Sequence, residues 1–475
     1  MKKDIGSLLI VLIPGLALAG YIAIRIFTVG ITHDEPQTCL TYAQFSIWDI
    51  ITNRNHDNNN HVFHTLLVKL FSSIFGTHQW SVRIPNFIGF ILYYVAAAGL
   101  LKKIISNKWF LLASVLFVTT NPFLLDFFGL ARGYGLACGI MMVSVFFAVS
   151  YIETNTLKHL SLSLFFGVLA TYTQFTIINY FASLLIFFGI YFLFIHKQPL
   201  SHWLSCIVSV VLLTVLIYKP VKELLIHNEV PNWGQNNFVK DTVDTLVRGL
   251  NYNNGVFFIS RHQTISWLLS AGVMGGVASL LVYFKNLKEK KYQQLLLSAI
   301  LLLGSVLMTV LQNKLFNTPY LITRTAIFFF PLTAIFILIS LNYVALQKSF
   351  FGVLILILGT GSLIHFIRNA NTSSAFEWPF NKNESRVICY LRKKHESAKA
   401  SISLNCHWHF FPALDFYKRT ENLDWLELTP FHKEVHKNGA TDYYFTYLNE
   451  AAAINNCYSP LILFMDDNQA IFKCH

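Results

Sequence analysis

The hydrophobic positions of the chain form repeated runs of about 20 residues, and short polar segments separate these runs. An α-helix needs about 20 apolar residues to cross the roughly 30 Å hydrocarbon core of a bilayer. The pattern therefore predicts an α-helical polytopic membrane protein with about 11 transmembrane helices. The predicted spans are 8–28, 84–101, 109–125, 134–152, 159–174, 176–195, 203–219, 264–284, 294–312, 325–343 and 350–368.

One pair of these spans, 159–174 and 176–195, has two interpretations. The segment Thr171-Tyr172-Thr173-Gln174 is either a turn between two helices or a polar kink in one long helix. The first run, Leu8 to Phe27, is too long for the apolar part of a signal peptide, and no small-residue cleavage pattern follows it. We expect this run to be retained as the first span.

The composition agrees with a membrane protein. Of the 475 residues, 54% are hydrophobic and 13% are charged, with a mean hydropathy of +0.49. An average soluble domain has about 25% charged residues. A soluble fold cannot bury so much apolar surface, whereas a bilayer can. The seven cysteines contain no CxxC pair, which argues against a zinc ribbon or a thioredoxin-like site.

The lysines in the short loops predict the orientation of the spans. With eleven spans, every loop that carries the lysines named below lies on one side, which the positive-inside rule identifies as the cytoplasm. The net charge of +12 is therefore explained by membrane orientation, and no nucleic-acid partner is expected. The lysines are Lys2, Lys3, Lys102, Lys103, Lys108, Lys158, Lys197, Lys285, Lys288, Lys290, Lys291 and Lys348.

Three longer regions then face outward: the first loop, 29–83, a second loop, 220–263, and the tail. Within the first loop, the apolar residues between Phe63 and Phe75 follow helical spacing, which predicts a helix lying in the membrane interface. Leu40 to Ile51 is a second candidate for such a helix.

The tail has the pattern of a small α/β domain. Its apolar runs shorten to strand length at 401–404 and 461–464, and Glu384 to Glu396 is typical of a helix. We therefore predict a transmembrane domain over 1–368 and an extracytoplasmic α/β domain over 369–475. In an oxidising compartment its four cysteines either form two disulfides, with three pairings open, or remain thiols. They are Cys389, Cys406, Cys457 and Cys474.

Polar residues gather at the predicted outer ends of the spans, where they are candidates for chemistry. A carboxylate at a membrane surface can act as a general base or hold a divalent cation, and an outward-facing arginine can bind a phosphate bidentately. His61 and His64 could also bind a metal ion, but histidines are common in loops. The sequence therefore leaves open whether a divalent metal binds. The candidates are His33, Asp34 and Glu35; His61 and His64; Asp126, Arg132 and Tyr134; and Arg324.

Four features in this order resemble the C-type (GT-C) membrane glycosyltransferases, closest to the bacterial protein O-mannosyltransferase and aminoarabinose-transferase branch. The first is the acidic pair Asp34-Glu35 just after the first span, and the second is the segment from Gly76 to Pro85 that leads into the second span. The third is Ala131-Arg132-Gly133-Tyr134, and the fourth is Arg324-Thr325 with Pro331. Members of this family often carry a His-Pro-Pro element before the interfacial helix, whereas this chain has no proline from Asn59 to His64.

The resemblance implies transfer of a hexosyl or pentosyl group from a polyprenyl-phosphate donor to a glycan, lipid or protein acceptor on the outer face of the cell inner membrane. It implies that Asp34 is the general base, acting on the acceptor hydroxyl. The charges then suggest that Arg132 and Arg324 stabilise the leaving phosphate. The donor carries its own activation, so no nucleotide or redox cofactor is expected.

Two other classes of function compete with this interpretation. A transporter or flippase for a lipid-linked saccharide predicts ionisable residues in the middle of the spans and internal repeats, whereas here the polar groups lie at the outer ends. An O-antigen polymerase or ligase would carry its basic residues in a late outer loop, whereas this acidic motif lies in the first.

Overall fold

The structure is a computed structural model of the 475-residue chain. It describes residues 5–54, 57–227, 234–252, 287–345, 350–433, 441–454 and 457–474, together with four isolated positions between 270 and 277. The predicted span 264–284 lies almost entirely outside the described residues, as do residues 228–233 and 253–263 of the second outer loop.

Long apolar helices dominate the described part of the chain, seven of them long and apolar enough to cross a membrane, or eight if a bent pair is one span. The chain is therefore a multi-pass membrane protein, while the total of eleven spans stays a prediction. These helices are α1 (Ile5–Thr28), α4 (Gln79–Ile104), α7 (Tyr134–Thr154), α9 (Ile178–Ile190) with a further turn to Ile195, α10 (Leu200–Ile226), α12 (Lys290–Ala299) continued by α13 (Ser305–Phe316), and α15 (Phe350–Asn369).

The bent pair consists of α5 (Lys108–Thr119) and α6 (Pro122–Phe128), whose axes differ by 66°. The break follows from the sequence, because Asn121 accepts a hydrogen bond from the Leu124 N–H and so caps α6, and Pro122 sits in its first turn. The predicted span 109–125 is thus a broken helix. Asp126 lies on its second piece.

The question about residues 171–174 is answered by the structure. Helix α8 (Leu157–Thr173) ends at Thr173, and Gln174 has an extended backbone with φ −144° and ψ 110°. A short 3₁₀ turn, Phe175–Ile177, then leads into α9. The two helices are therefore separate and the break falls at Gln174, whose side chain can take part in a polar site at the helix end.

Helix α10 shows why the fold needs a membrane. Leu200 and Val215 each expose 70% of their surface, and most other apolar side chains of this helix are also exposed. In water such a surface would drive aggregation, whereas lipid covers it without cost.

Small residues let two of the spans approach closely. A Cβ atom added to Gly139 on α7 would lie 2.2 Å from the carbonyl oxygen of Gly89 on α4. Such glycine contacts are typical of helix packing in membranes, where backbones come together at small residues. The contact fixes the height at which α7 begins, and with it the loop that carries Arg132.

The first outer loop contains the predicted helix, α3 (Val62–Phe75). The second candidate, Leu40 to Ile51, is divided: a π turn over Gln37–Thr41, a 3₁₀ turn over Tyr42–Gln44, and a short helix, α2 (Ile47–Thr52), which Ser46 caps.

The chain forms two compact units. The first unit consists of residues 1–23, 46–67 and 84–370, and the second consists of residues 24–45, 68–83 and the chain from Asn371 onward. Parts of the first outer loop thus fold with the tail. The domain boundary at residue 368 stays a prediction.

The tail within the second unit is an α/β structure, as its sequence pattern predicts. Its described strands form one five-stranded sheet in the order β2-β1-β3-β5-β4, in which the first three are parallel and the last two pairings are antiparallel. The strands are β1 (Ile402–Cys406), β2 (Leu426–Leu428), β3 (Tyr443–Tyr447), β4 (Tyr458–Phe464) and β5 (Gln469–Cys474). The helices of the tail are α16 (Glu384–Ala398), α17 (Phe411–Thr420) and the short α18 (Ala451–Ile454). Two further helices belong to the first unit, α11 (Asp244–Leu250) and α14 (Phe329–Ala345).

The four cysteines of the tail occupy different environments. Cys389 is exposed on α16, and Cys406 is buried on β1. Cys457 and Cys474 lie at the open end of the β4–β5 hairpin, where Tyr458 pairs with Cys474. The two alternatives that the sequence allows, two disulfides or four thiols, both stay open for these cysteines.

Candidate functional site

The loop between α6 and α7 is held from α4 by one buried amide. The Asn86 side chain donates to the carbonyl oxygens of Leu130 and Arg132, the latter at 2.9 Å, and its Oδ1 accepts from the Leu136 N–H at 2.8 Å. The same Nδ2 lies 3.1 Å from Nε2 of His64 on α3. Asn86 thereby fixes the loop that carries Arg132.

Arg132 is fully buried in the first unit. Its Nη2 donates to Oδ1 of Asn59 at 2.9 Å, and its guanidinium lies 6.0 Å from the centre of the Tyr134 ring. A guanidinium that is buried within the protein does not reach out to the lipid headgroups, so snorkelling does not explain its position. The role of Arg132 in binding a substrate stays a prediction.

The histidines of the first loop lie beside this arginine. Their imidazoles stand 6.5 Å apart, and the His61 ring packs edge-on against Tyr134 at 4.8 Å. Gly133 is needed for this approach, because a Cβ added there would lie 2.7 Å from Cβ of His61.

Both imidazoles are neutral in this setting. Burial lowers the pKa of His61 well below its usual value, the charges of Arg132, His64 and Arg324 lower it further, and a hydrogen bond with Gln174 opposes them. Burial and Arg132 lower the pKa of His64 to about 3. Nε2 of His61 and Nδ1 of His64 are buried with no hydrogen-bond partner among the described residues. The positive charge of this group therefore comes from the arginines.

Arg324 is half-buried on a 3₁₀ turn, Thr323–Ala326, and its charge reaches His61. Thr323 has φ +41°, a left-handed conformation that is strained for a β-branched residue. Its N–H donates to Oγ1 of Thr245 at 2.8 Å, and the Ile322 N–H donates to Oγ1 of Thr325 at 2.8 Å. Such a strained conformation persists only where the surrounding hydrogen bonds hold it, and conformations of this kind cluster at functional sites.

The other two predicted residues of this unit lie next to the loop. Asp126 is buried on α6, where its carboxylate accepts from the Tyr252 hydroxyl at 3.0 Å. Tyr134 is buried at the start of α7 and packs against Phe127 at 5.3 Å. Both shape the surroundings of Arg132, and their contact with a substrate stays a prediction.

The arginine–histidine group (His61, His64, Arg132 and Arg324) thus joins two cations and two neutral imidazoles. Guanidinium groups bind phosphate through paired N–H bonds, and a neutral imidazole can donate or accept one more. The geometry suits a phosphate-bearing ligand.

In the second unit, Glu35 has a defined partner. Its carboxylate forms a bidentate ion pair with Arg83, Nε to Oε1 at 2.8 Å and Nη2 to Oε2 at 2.7 Å, and both side chains are fully buried. Arg83 also donates to the carbonyl oxygens of Ile26, Val29 and Gly30, so all five of its N–H groups are used. Oε2 of Glu35 accepts from the Thr32 N–H and hydroxyl. Glu35 therefore holds the backbone of the loop together, and its contact with a substrate stays a prediction.

His33 and Asp34 form the turn before Glu35 and are both half-exposed. The His33 N–H donates to Oδ1 of Asn381 at 2.8 Å, and its Nδ1 lies 3.0 Å from the carbonyl oxygen of His409 and so carries a proton there. The His33 ring also meets Trp408 edge-on at 5.5 Å. Asp34 lies between two anchored residues, and its role as a general base stays a prediction.

Beside this turn, Glu384 is a buried carboxyl at the start of α16 that bonds Asn381 at 2.5 Å. Burial raises the pKa of Glu384 to about 8. Burial also lowers the pKa of His407 and of His409 to about 4 each.

We expect the Glu384→Gln variant to unfold at a higher temperature than the wild type at pH 7 to 8, and at the same temperature near pH 4. The unfolded carboxyl titrates near 4.5 and the folded one at about 8, so unfolding releases a proton between these values. Rising pH therefore favours unfolding in the wild type only.

His407 and His409 act in the opposite direction, since their lowered pKa favours unfolding as pH falls from 6.5 towards 4. Thermal unfolding in detergent across this pH range measures the difference, and Glu396→Gln, exposed on the same helix, is the control. Equal curves for wild type and Glu384→Gln would contradict the buried, protonated carboxyl.

Among the described residues, no group of three or more His, Cys, Asp or Glu side chains is arranged to hold a metal ion. The divalent metal left open by the sequence remains untested.

Several residues of these sites were not singled out from the sequence. Arg83 stood inside the segment quoted for the resemblance, yet its pairing with Glu35 spans 48 positions. Asn86, Asn381 and Gln174 are single amides with no local motif. The one signal that points to Asn86 is a polar amide inside the predicted apolar span 84–101, because such a group must find hydrogen-bond partners.

Comparison with solved structures identifies the fold. The chain matches ArnT from Cupriavidus metallidurans in the apo state, with a TM-score of 0.54, 10% identity and 97% of each chain covered. It matches the same protein bound to undecaprenyl phosphate with a TM-score of 0.51, 11% identity and 99% and 98% covered. It also matches the oligosaccharyltransferase AglB from Archaeoglobus fulgidus in complex with an inhibitory peptide and a dolichol-phosphate, with a TM-score of 0.50, 13% identity, and 95% of this chain and 71% of that chain covered.

By sequence alone, no family model and no curated protein matches the chain. The structural matches show that the chain shares the fold of ArnT over nearly its whole length. The fold expected from the resemblance is therefore confirmed.

Proposed function

We propose that the protein is an integral membrane glycosyltransferase that moves a sugar from a polyprenyl-phosphate donor to an acceptor. The observation that carries the proposal is the arginine–histidine group in a unit with this fold, since two guanidiniums beside neutral imidazoles suit a lipid-linked phosphate. Solved proteins of this fold bind undecaprenyl phosphate and a dolichol-phosphate.

In this reaction Arg132 and Arg324 bind the phosphate of the donor and stabilise the charge that develops on it as the bond to the sugar breaks. Arg132 is anchored through Asn59 and its loop through Asn86, so the charge is held in place before the substrate arrives. The neutral imidazoles can add hydrogen bonds without adding charge. Asp34, in the second unit, takes the proton of the acceptor hydroxyl as the sugar is transferred.

The partners and location follow from the same chemistry. The donor is a polyprenyl-phosphate sugar, and the acceptor is a glycan, a lipid or a protein. We place the enzyme in the cell inner membrane with its α/β tail on the extracytoplasmic side, as the lysine distribution predicts. No nucleotide or redox cofactor is needed, because the phosphate is itself the leaving group.

The proposal is tested by incubating purified protein with polyprenyl-phosphate sugars labelled in the sugar, together with a panel of glycan, lipid and protein acceptors. We expect release of polyprenyl phosphate in step with labelling of one acceptor class. In vesicles, movement of an intact donor across the bilayer without release of polyprenyl phosphate would identify a flippase and overturn the proposal.

We expect Arg132→Lys and Arg324→Lys each to weaken binding of a polyprenyl phosphate by about tenfold or more, because an ammonium does not reproduce the paired bonds of a guanidinium. Binding is measured with the lipid phosphate itself in detergent. Arg248→Lys, at an exposed position of α11, serves as the matched control and should bind as the wild type does. Unchanged affinity in both variants and in their alanine counterparts would remove the two arginines from the site.

A further inference from the structure

The tail contacts the turn that carries Asp34, and the contacts lie within the second unit. We propose that Asn381 is a positioning residue for Asp34, acting through the His33 backbone. This inference rests on the proposed function, because it assigns the tail a part in placing the general base.

Asn381 is 1% exposed and links two groups. Its Oδ1 accepts from the His33 N–H at 2.8 Å, and its Nδ2 donates to Oε1 of Glu384 at 2.5 Å. Glu384 begins α16, so one amide connects the acidic turn to the first helix of the α/β structure.

Two further contacts hold the same turn. Nδ1 of His33 donates to the carbonyl oxygen of His409 at 3.0 Å, and the Ile31 N–H donates to the Tyr417 hydroxyl at 3.3 Å. On the other side of Asp34, Glu35 is fixed by Arg83. The backbone of Asp34 is thus held from both neighbours, while its own side chain stays half-exposed.

This arrangement matters for a general base more than for binding. A base must lie within hydrogen-bond reach of the proton that it takes, and a displacement of about 1 Å can lower a rate by about 100-fold. If the Asn381 amide is lost, the His33 N–H loses its acceptor and the turn can shift. Arg132 and Arg324, the proposed donor-binding residues, belong to the other unit. We therefore expect the loss of the Asn381 amide to leave the affinity for the donor unchanged.

The experiment compares Asn381→Ala with Asn383→Ala in the full-length protein. Asn383 is a matched control: it is equally buried, two residues away, and bonds Asp467 and Gln469 on the tail itself. We expect Asn381→Ala to lower kcat by about tenfold or more with the donor KM unchanged, and Asn383→Ala to leave both close to wild type. Asn381→Asp keeps an acceptor for the His33 N–H and should retain most of the kcat.

Binding of polyprenyl phosphate by each variant reports that the membrane unit is folded. If Asn381→Ala does not accumulate, Asn381→Ser, which leaves a smaller cavity, takes its place. Equal kcat values for the Asn381 and Asn383 variants, beside an inactive Asp34→Asn, would overturn the positioning role alone. An Asp34→Asn variant with normal transfer would overturn the general base and the positioning role together.

Discussion

Replacing Asp34 with Asn should lower the turnover of sugar transfer by about 100-fold or more, the usual scale for loss of a general base. The exchange keeps the shape of the side chain and removes its proton acceptor. The neighbouring residues are held by Asn381 and Arg83, so the turn should keep its conformation in the variant. Binding of polyprenyl phosphate should persist, because that ligand is assigned to Arg132 and Arg324.

Turnover is measured with a labelled donor under saturating conditions, and donor binding is measured separately. Asp424→Asn, at an exposed position of the same unit, is a control for loss of a carboxylate and should stay active. Near-normal transfer by Asp34→Asn would remove this residue from the chemistry.

The largest loss of stability should come from Arg83→Ala. Removing one partner of a buried ion pair costs about 3 to 5 kcal/mol, because the remaining charge is left without compensation. Here the variant would leave Glu35 buried without its bidentate partner, and would also leave three carbonyl groups of the chain at Ile26, Val29 and Gly30 without these donors. Arg83→Lys should recover only part of the loss, since one ammonium cannot make five bonds.

The measurement is thermal unfolding in detergent at fixed lipid content. Arg54→Ala is the control, because Arg54 forms an exposed pair with Asp49, and such surface pairs contribute about 0 to 1 kcal/mol. If Arg83→Ala and Arg54→Ala unfold at the same temperature, the buried pair does not stabilise the loop. Glu35→Gln should lie between them, since it keeps the shape but loses the charge.

The helices were predictable because the bilayer imposes a length and an apolar composition on every span. The strand-length runs predicted at 401–404 and 461–464 fall on β1 and β4, and the helix predicted from Glu384 to Glu396 falls on α16. The break between α5 and α6 was not predicted, although Asn121-Pro122 is a helix start that the long apolar run concealed. Hydropathy averages over such a signal, whereas capping depends on single residues.

The sites were predictable only in part. The two arginines stood out because positive charge is unusual on the predicted outer face, and the two histidines stood out as a pair in the first loop. The structure brings all four together. Their separation along the chain, from His61 to Arg324, carries no local signal. Asp34 and Glu35 are adjacent carboxylates that the sequence alone cannot distinguish. The ion pair with Arg83 identifies Glu35 as the structural carboxylate and leaves Asp34 as the candidate base.

The bonds from Arg83 to Ile26, Val29 and Gly30 also restrict where residues can be added to or removed from α1. They fix the C-terminal end of α1 at one register. Each residue added to an α-helix advances it by 1.5 Å and rotates it by about 100°. An insertion within α1 would therefore leave its last turn in place and rotate every residue upstream of the insertion. A change in the length of α1 that matches a thicker or thinner bilayer must then occur at its N-terminal end. Residues added there leave the bonds from Arg83 to the end of α1 undisturbed.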